Sequence, residues 1–250
     1  MRKAAFTLAE VLITLGIIGV VAAITLPTIN QNRQDNELIT QTQKVYADIN
    51  NAILLSQQDY GVIGDNSLLF NEKDNSYTVA KNLLKYFNGA KLCQNVSQKG
   101  CKSYYYDIKY ATKRVDSNGV GGVDNDTSSA KIIFSNGAIL RVGTNRSGCG
   151  EPKEYTSTVV DAYGKPIKNP DGTNKTSTYI SDICANLSFD VNGTKGPNQF
   201  GRDVYWFWVY KRKLQYGTAD YLGGKSFQNI LTGVNKLYYE NYSKGQNFDF

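Results

Sequence analysis

Between Phe6 and Ile29 the chain reads FTLAEVLITLGIIGVVAAITLPTI, 24 residues in which Glu10 carries the only charge. At a helical rise of about 1.5 Å per residue this stretch reaches about 36 Å, enough to cross a hydrocarbon layer of roughly 30 Å. Arg2 and Lys3 precede it. The positive-inside tendency therefore puts the short N-terminus in the cytoplasm and everything after the helix outside. An ordinary secretory signal peptide has an apolar stretch of about 7 to 15 residues and no acid within it. A plain anchor fits the length but leaves the carboxylate unexplained, since an ionised group costs on the order of 2.5 to 3.5 kcal/mol at the bilayer midplane. Glu10 calls for a partner.

Ala5-Phe6-Thr7-Leu8-Ala9-Glu10-Val11-Leu12, followed by the apolar run and Pro27, resembles the N-terminus of type IV pilins and of the pseudopilins of type II secretion. The resemblance covers about thirty residues of the chain. It implies that a prepilin peptidase cuts between Ala5 and Phe6, that the new N-terminal Phe6 is methylated, and that Glu10 aligns each subunit with its neighbour. Ala5 stands where the family usually has Gly, and Pro27 sits where the family commonly has a helix-kinking proline. The implied partners are the peptidase, other pilin or pseudopilin subunits, the bacterial inner membrane and the assembly machinery, with the body of the chain extracytoplasmic. The physical logic holds without the family. A buried carboxylate is tolerable when it faces the free amine of an adjacent chain, and that amine exists beside the apolar helix only once the leader is gone.

After Pro27 the pattern turns amphipathic. Leu38, Val45, Ile49, Ala52 and Ile53 share one helical face, while Arg33, Asp35, Glu37, Lys44 and Asp48 occupy others. The helix is predicted to run to about Gln57 and to stop before Gly61. The expected organisation is a leader at 1–5, a transmembrane and assembly helix at 6–29, an amphipathic helix at 30–60, and a globular domain at 61–250. Its fold class is α+β, a long helix packed on an antiparallel sheet in the pilin manner, with a loop-rich C-terminal region.

Within that body a short helix is predicted from Tyr77 to Phe87, ended by Asn88 and Gly89. Tyr104 to Tyr110 reads as a strand, and Lys131–Phe134 with Ala138–Val142 reads as a hairpin turning at Ser135-Asn136-Gly137. Val204 to Tyr210, VYWFWVY, is apolar at every position and is expected to be a central strand covered on both sides. Its aromatic residues are read as core, with a ligand groove as the alternative. Glu151 to Thr178 suits an exposed loop or a loose hairpin. Phe227 to Tyr242 fits either a terminal helix or a last strand.

Histidine is absent, which excludes a Ser/His/Asp hydrolase, a Cys/His protease and a His-ligated zinc enzyme. Neither a nucleophile motif, a phosphate loop nor a recognisable acid pair is evident, so no enzyme is expected. The 28 basic residues exceed the 22 acidic ones without a long basic run, which supports nucleic acid only weakly as a partner. Cys93, Cys101, Cys149 and Cys184 all follow the membrane segment, where disulfides are permitted. Three connectivities are open. Cys93 with Cys101 and Cys149 with Cys184 is the favoured one, because the first two are close in sequence. A zinc site lacks both His and a CxxC spacing.

No cofactor is required by this reading, but Ca²⁺ is a candidate. Asp190, Asn192, Thr194 and Asp203 place side-chain oxygens around a glycine turn, as calcium loops do, although Gly falls at the fourth place and not the sixth of an EF-hand. Asp116, Asn118, Gly119, Asp124 and Asp126 form a weaker second candidate. The expected function is a structural subunit of a type IV pilus or type II secretion pseudopilus. The alternative is a membrane-anchored binding module, an adhesin or DNA-uptake subunit, using its tyrosines and modest positive charge.

Overall fold

The computed structural model of the protein describes residues 7–114, 123–124, 126–144, 149, 152–243, 246 and 248. In chain order the elements are α1 (Leu8–Asp59), α2 (Ser76–Leu84), β1 (Lys91–Cys93), β2 (Ile108–Lys109), β3 (Val123–Asp124), β4 (Ala130–Ile133), β5 (Ile139–Thr144), β6 (Lys153–Thr158), β7 (Thr176–Ser181), β8 (Ile183–Asp190), β9 (Val204–Tyr210), β10 (Leu214–Tyr216) and α3 (Gly224–Leu231). Single 3-10 turns occupy Lys102–Tyr104 and Asp220–Leu222. The architecture is α+β, and the chain divides into two compact units, Met1–Glu37 and Leu38–Phe250. The described part of the first unit is the opening stretch of α1, with Pro27 inside it.

In the second unit six antiparallel strands form one sheet in the order β1-β4-β5-β8-β9-β10. Strand alternation sends Ile132, Leu140, Val142, Leu187, Phe189, Tyr205, Phe207 and Val209 to its inner face, all fully buried. Against them pack Val45, Ile49, Ala52 and Ile53 of α1, Val79 and Leu83 of α2, and Phe227 and Ile230 of α3. The stripe read from the sequence is thus the core face of the helix. The α2 helix is capped by Asn75, whose Oδ1 accepts from the Thr78 N–H at 2.9 Å, and it ends at Leu84, three residues before the predicted Phe87.

The β4–β5 hairpin closes as expected at Ser135-Asn136-Gly137. The Phe134 N–H donates to the Ala138 carbonyl at 2.8 Å, and Gly137 takes a φ of 91°. Of the two options for the stretch from 151 to 178, the hairpin is found over its described residues. β6 and β7 pair over six residues each, and further bridges join Val160 to Pro166 and Lys168 to Asn174. Of the two options for Phe227–Tyr242, the helix is found, and it begins at Gly224 and ends at Leu231.

Two expectations are corrected. Tyr104 to Tyr110 is not one strand, since only Ile108–Lys109 pairs, with β3. The tyrosines before it are drawn to a charge instead. Lys131 is buried on the outer face of β4, its Nζ donating to the Tyr104 carbonyl at 3.0 Å and lying 4.3 Å from the Tyr105 ring centroid. That placement settles a like-charge pair, because Lys131 stands directly opposite Arg141, and Arg141 is in turn taken by Asp126. The second correction concerns β9. It lies second from an edge, and while Tyr205, Phe207 and Val209 are core, Trp206, Trp208 and Tyr210 on the outer face are only half-buried. Part of that outer face is covered by a small cluster around Ala111, Phe200 and Val204, against which Trp206 packs.

The turn after β8 meets the β4–β5 turn at one glycine. Gly193 has a φ of 63°, and a Cβ built on it would come 2.2 Å from the Gly137 carbonyl oxygen, whereas a Cβ on Gly137 would meet nothing within 4 Å. Gly193→Ala is therefore expected to destabilise the body by roughly 3 kcal/mol and Gly137→Ala by only about 1 kcal/mol. Denaturant unfolding of the two variants checks the ranking, and equal losses would refute the backbone contact as its cause.

Candidate functional site

The first site is the start of α1. Thr7 stands just before the helix and Glu10 three residues on, the spacing at which each side chain reaches the other's backbone. The Glu10 N–H donates to Thr7 Oγ1 at 3.2 Å, while the Thr7 N–H and hydroxyl donate to Glu10 Oε2 at 2.8 and 2.9 Å. This is a complete capping box, with the carboxylate also lying at the positive end of the helix dipole. The sequence signal for this box is Thr-x-x-Glu ahead of an apolar run. Beyond it the helix presents an apolar surface, with Leu8 78% and Ile24 70% exposed. It is the one helix among the described residues long and apolar enough to cross a membrane. Ala5 and Phe6, the expected cleavage and methylation residues, lie outside the described residues.

The second site is the proposed calcium loop, and the fold does bring Asp190 and Asp203 together. Both are buried, at 3% and 0% exposure. Their oxygens, however, are already engaged by donors. Asp190 Oδ1 accepts from the N–H groups of Asn192 and Gly193 at 3.1 and 2.7 Å, and Oδ2 accepts from the Tyr106 hydroxyl at 2.8 Å. Asp203 accepts from the N–H groups of Asn198 and Gln199 at 2.8 and 2.7 Å. Thr194 is exposed. The Asn192 Oδ1 is buried without a hydrogen-bond partner among the described residues. Among the described residues no group of three or more His, Cys, Asp or Glu side chains converges as a metal set. A cation here would have to displace those N–H and O–H donors, so the described geometry is that of two carboxyls closing turns. Of the weaker candidate, Asp116, Asn118 and Gly119 lie outside the described residues. Asp126 is bound by Arg141 and by the N–H groups of Ser128 and Ser129, both at 2.9 Å.

The four cysteines pair as Cys93–Cys101 and Cys149–Cys184, with Cα separations of 5.7 and 4.0 Å. The first bridge packs with Ile133 and Ile139 on the outer face of the sheet. The second closes the base of the β6–β7 ribbon.

Burial raises the Asp190 carboxyl well above the usual carboxylate range, and the neighbouring Asp203 charge reinforces the effect. Burial likewise pushes Asp203 up to about 6, against the pull of its two N–H donors. The folded body therefore holds protons that the unfolded chain, with ordinary carboxyls near pH 4, has released. That contribution is present below about pH 4 and is lost as pH rises through about 6. Asp126 acts in the opposite sense, because Arg141 and its serine donors overcome burial and hold it well below the usual range, so its effect is confined to more acidic solution. The melting temperature of the detergent-solubilised chain is expected to fall between about pH 4.5 and 7.5, by an amount equivalent to on the order of 2 kcal/mol, with Asp203→Asn flattening the slope. A melting temperature that rises over that interval would contradict the buried pair.

Residues 1–26 match a family model described as the prokaryotic N-terminal methylation motif. Searches of curated proteins and of solved structures return no match. The chain thus opens with the type IV pilin and pseudopilin signal, on a single apolar helix that fits a membrane-anchored, single-pass protein.

Proposed function

We propose that the chain is a minor pilin or pseudopilin, a structural subunit held in the bacterial inner membrane with its body extracytoplasmic until it is drawn into a filament. The observation that carries this reading is the methylation motif followed by an exposed apolar helical stretch, to Ile29, whose only acid is Glu10. The capping box adds a mechanism. In the separate subunit Glu10 is satisfied by Thr7, which offsets part of the cost of a carboxylate in lipid. Removal of Met1 to Ala5 creates an ammonium one residue before Thr7. In a filament the carboxylate exchanges its own chain's donors for the ammonium of a neighbour, a pairing worth more where water is excluded.

A second reading, a polyanion-binding module, is favoured by one surface. Along 109–114 and 202–242 cations lie over aromatic rings, among them Lys225 at 4.0 Å from Tyr238, Arg114 at 3.8 Å from Tyr221 and Arg202 at 4.8 Å from Tyr239. Base stacking combined with basic charge is what single-stranded nucleic acid uses. Retention on a poly-dT column that weakens steeply with salt would favour it.

Co-expression with a prepilin peptidase is expected to yield a membrane protein shortened by Met1 to Ala5 and bearing an N-methylated Phe6, read by intact mass. An unprocessed chain, or a cut near Ala23, would sink the assignment. Glu10→Ala should leave the protein folded in the membrane yet absent from sheared filaments. Thr7→Val should cost about 1 kcal/mol of helix-end stability while retaining assembly, because the intersubunit carboxylate survives. Normal filament incorporation of the Glu10→Ala protein would remove the carboxylate from the mechanism.

A further inference from the structure

We propose that the surface formed by the 191–202 loop and the 221–239 segment seats the body on an anionic phospholipid bilayer, with Lys225 and Lys236 on headgroup phosphates and Leu231 and Val234 among the upper acyl carbons. This rests on the membrane-anchored subunit proposed above. The apolar run ends at Ile29, and the second compact unit begins at Leu38, nine residues of continuous helix later. However the body is turned, that end of it stays within about 14 Å of the apolar run. Five residues further on, Gln43 Nε2 donates to the Ile230 carbonyl at 3.5 Å and to Asn235 Oδ1 at 3.4 Å, which fixes the turn after α3 beside the entry of the helix. The turn has a set shape, since Asn229 binds both sides of it. Its carbonyl accepts from the Val234 N–H at 2.9 Å, and its Nδ2 donates to the Lys236 carbonyl at 2.8 Å. All of 231–236 is exposed, Val234 by 62%. The 191–202 loop joins the same surface where two glycines meet, and a Cβ on Gly223 would come 2.2 Å from the Gly201 nitrogen.

Charge and side-chain type select the occupant. Between Asp190 and Asp203, and again between Asp220 and Glu240, the sequence has no acid, while it has Lys195, Arg202, Lys225 and Lys236. Of the flanking acids, Asp190 and Asp203 are buried, and Asp220 and Glu240 line a separate cleft with Lys113 and Arg114. The surface is therefore cationic. The connecting stretch 30–37 sets Arg33 against Asp35 and Glu37, so attraction to an anionic surface has to come from the body. A bilayer fits better than nucleic acid on two counts. The ring faces that a base would need are shared with cations, since Lys225 and Lys236 lie 4.0 and 5.4 Å from the Tyr238 centroid and Arg202 lies 4.8 Å from that of Tyr239. The aliphatic side chains of Leu231 and Val234 have nothing to offer a phosphodiester strand but gain from contact with lipid. Tyrosine and lysine around a short apolar tip is the mix found at the membrane–water boundary, with the ring at headgroup level and the ammonium reaching past it to the phosphates. Each lysine near an anionic surface raises partitioning roughly fivefold, and the tether supplies the bilayer at high local concentration.

The full chain is reconstituted into nanodiscs of phosphatidylcholine, or of phosphatidylcholine with about one third phosphatidylglycerol. Exposed amines are then acetylated with a water-soluble N-hydroxysuccinimide ester and read by peptide mass. Phosphatidylglycerol is expected to slow the labelling of Lys225 and Lys236 about threefold or more, while Lys168 and Lys175 on the β6–β7 arm keep their rates. Salt at about 0.5 M should erase the difference. Amide exchange across 231–236 should slow in the anionic discs alone. Leu231→Ser combined with Val234→Ser should abolish that slowing at an unchanged melting temperature, because both side chains are exposed in the folded body. Lys225→Gln should restore much of the Lys236 labelling. A chain that fails to enter discs overturns the anchor and this seat together. One that enters and labels alike in both lipids overturns the seat alone, as does equal protection of the arm lysines, the mark of general adsorption. The lipid assignment also falls if inorganic phosphate, or a dT oligonucleotide in phosphatidylcholine discs, protects the same lysines as well as phosphatidylglycerol does.

Discussion

Tyr46 of α1 sits edge-on to Phe207 and Phe227, with ring centroids 5.4 and 5.2 Å away, and Val45, Ile49 and Ile53 extend the same stripe across the inner face of the sheet. Val45, Ile49 and Ile53, each fully buried, contribute on the order of 1.5–3 kcal/mol apiece. The contact also decides where everything else can go. Phe227 meets Tyr205 and Phe189 as well as Tyr46, so α3 is held between helix and strands. Val79 and Leu83 seat α2 on the same core. With the inner face so occupied, Lys131, Arg141, Asn186, Ser188, Asp190, Trp206 and Trp208 fall at the alternate strand positions on the other side. The tyrosine-caged lysine, Asp190 and the tryptophan row are products of that sorting.

The long-range plan was legible in the sequence because it rests on periodicity. The apolar run, the stripe of Leu38 to Ile53 and the Asn-Gly hairpin each declare themselves within a few residues. What stayed hidden depends on pairing between distant segments. Nothing local to Tyr104, Tyr105 and Tyr106 says that Lys131 and Asp190 will claim them. VYWFWVY is apolar at every position, so its sequence carries no alternation to show that Trp206 and Trp208 face away from the core. The Asp190–Asp203 loop shows the converse. Oxygen spacing marks Asp190 and Asp203 as neighbours but does not say that backbone N–H groups and the Tyr106 hydroxyl donate to their oxygens.

At the N-terminal end the carboxylate of Glu10 is held by its own chain. Within the chain, Thr7 supplies two donors and receives one in return. A capping box is local and forms as soon as the first turn of helix does, so Glu10 need not wait for another subunit before entering lipid. On the function proposed above, such a subunit would persist alone in the membrane and still surrender the carboxylate to a stronger, charged donor. That reversibility suits a helix stored in one setting and used in another.

The β6–β7 ribbon hangs from the Cys149–Cys184 bridge, and most of its side chains are exposed, Ile180 by 74%. A two-stranded ribbon has little core of its own, and here the covalent tie at its base limits the ways it can come apart. Its rim carries Lys165, Lys168 and Lys175 with Pro166 and Pro170, residues that discourage a foreign strand from adding on. Sequence drift in this arm costs the core almost nothing. The turn at Asn169–Thr173 is accordingly the place where a short foreign peptide could be spliced in, letting the arm serve as a display site that leaves the packing of the body untouched.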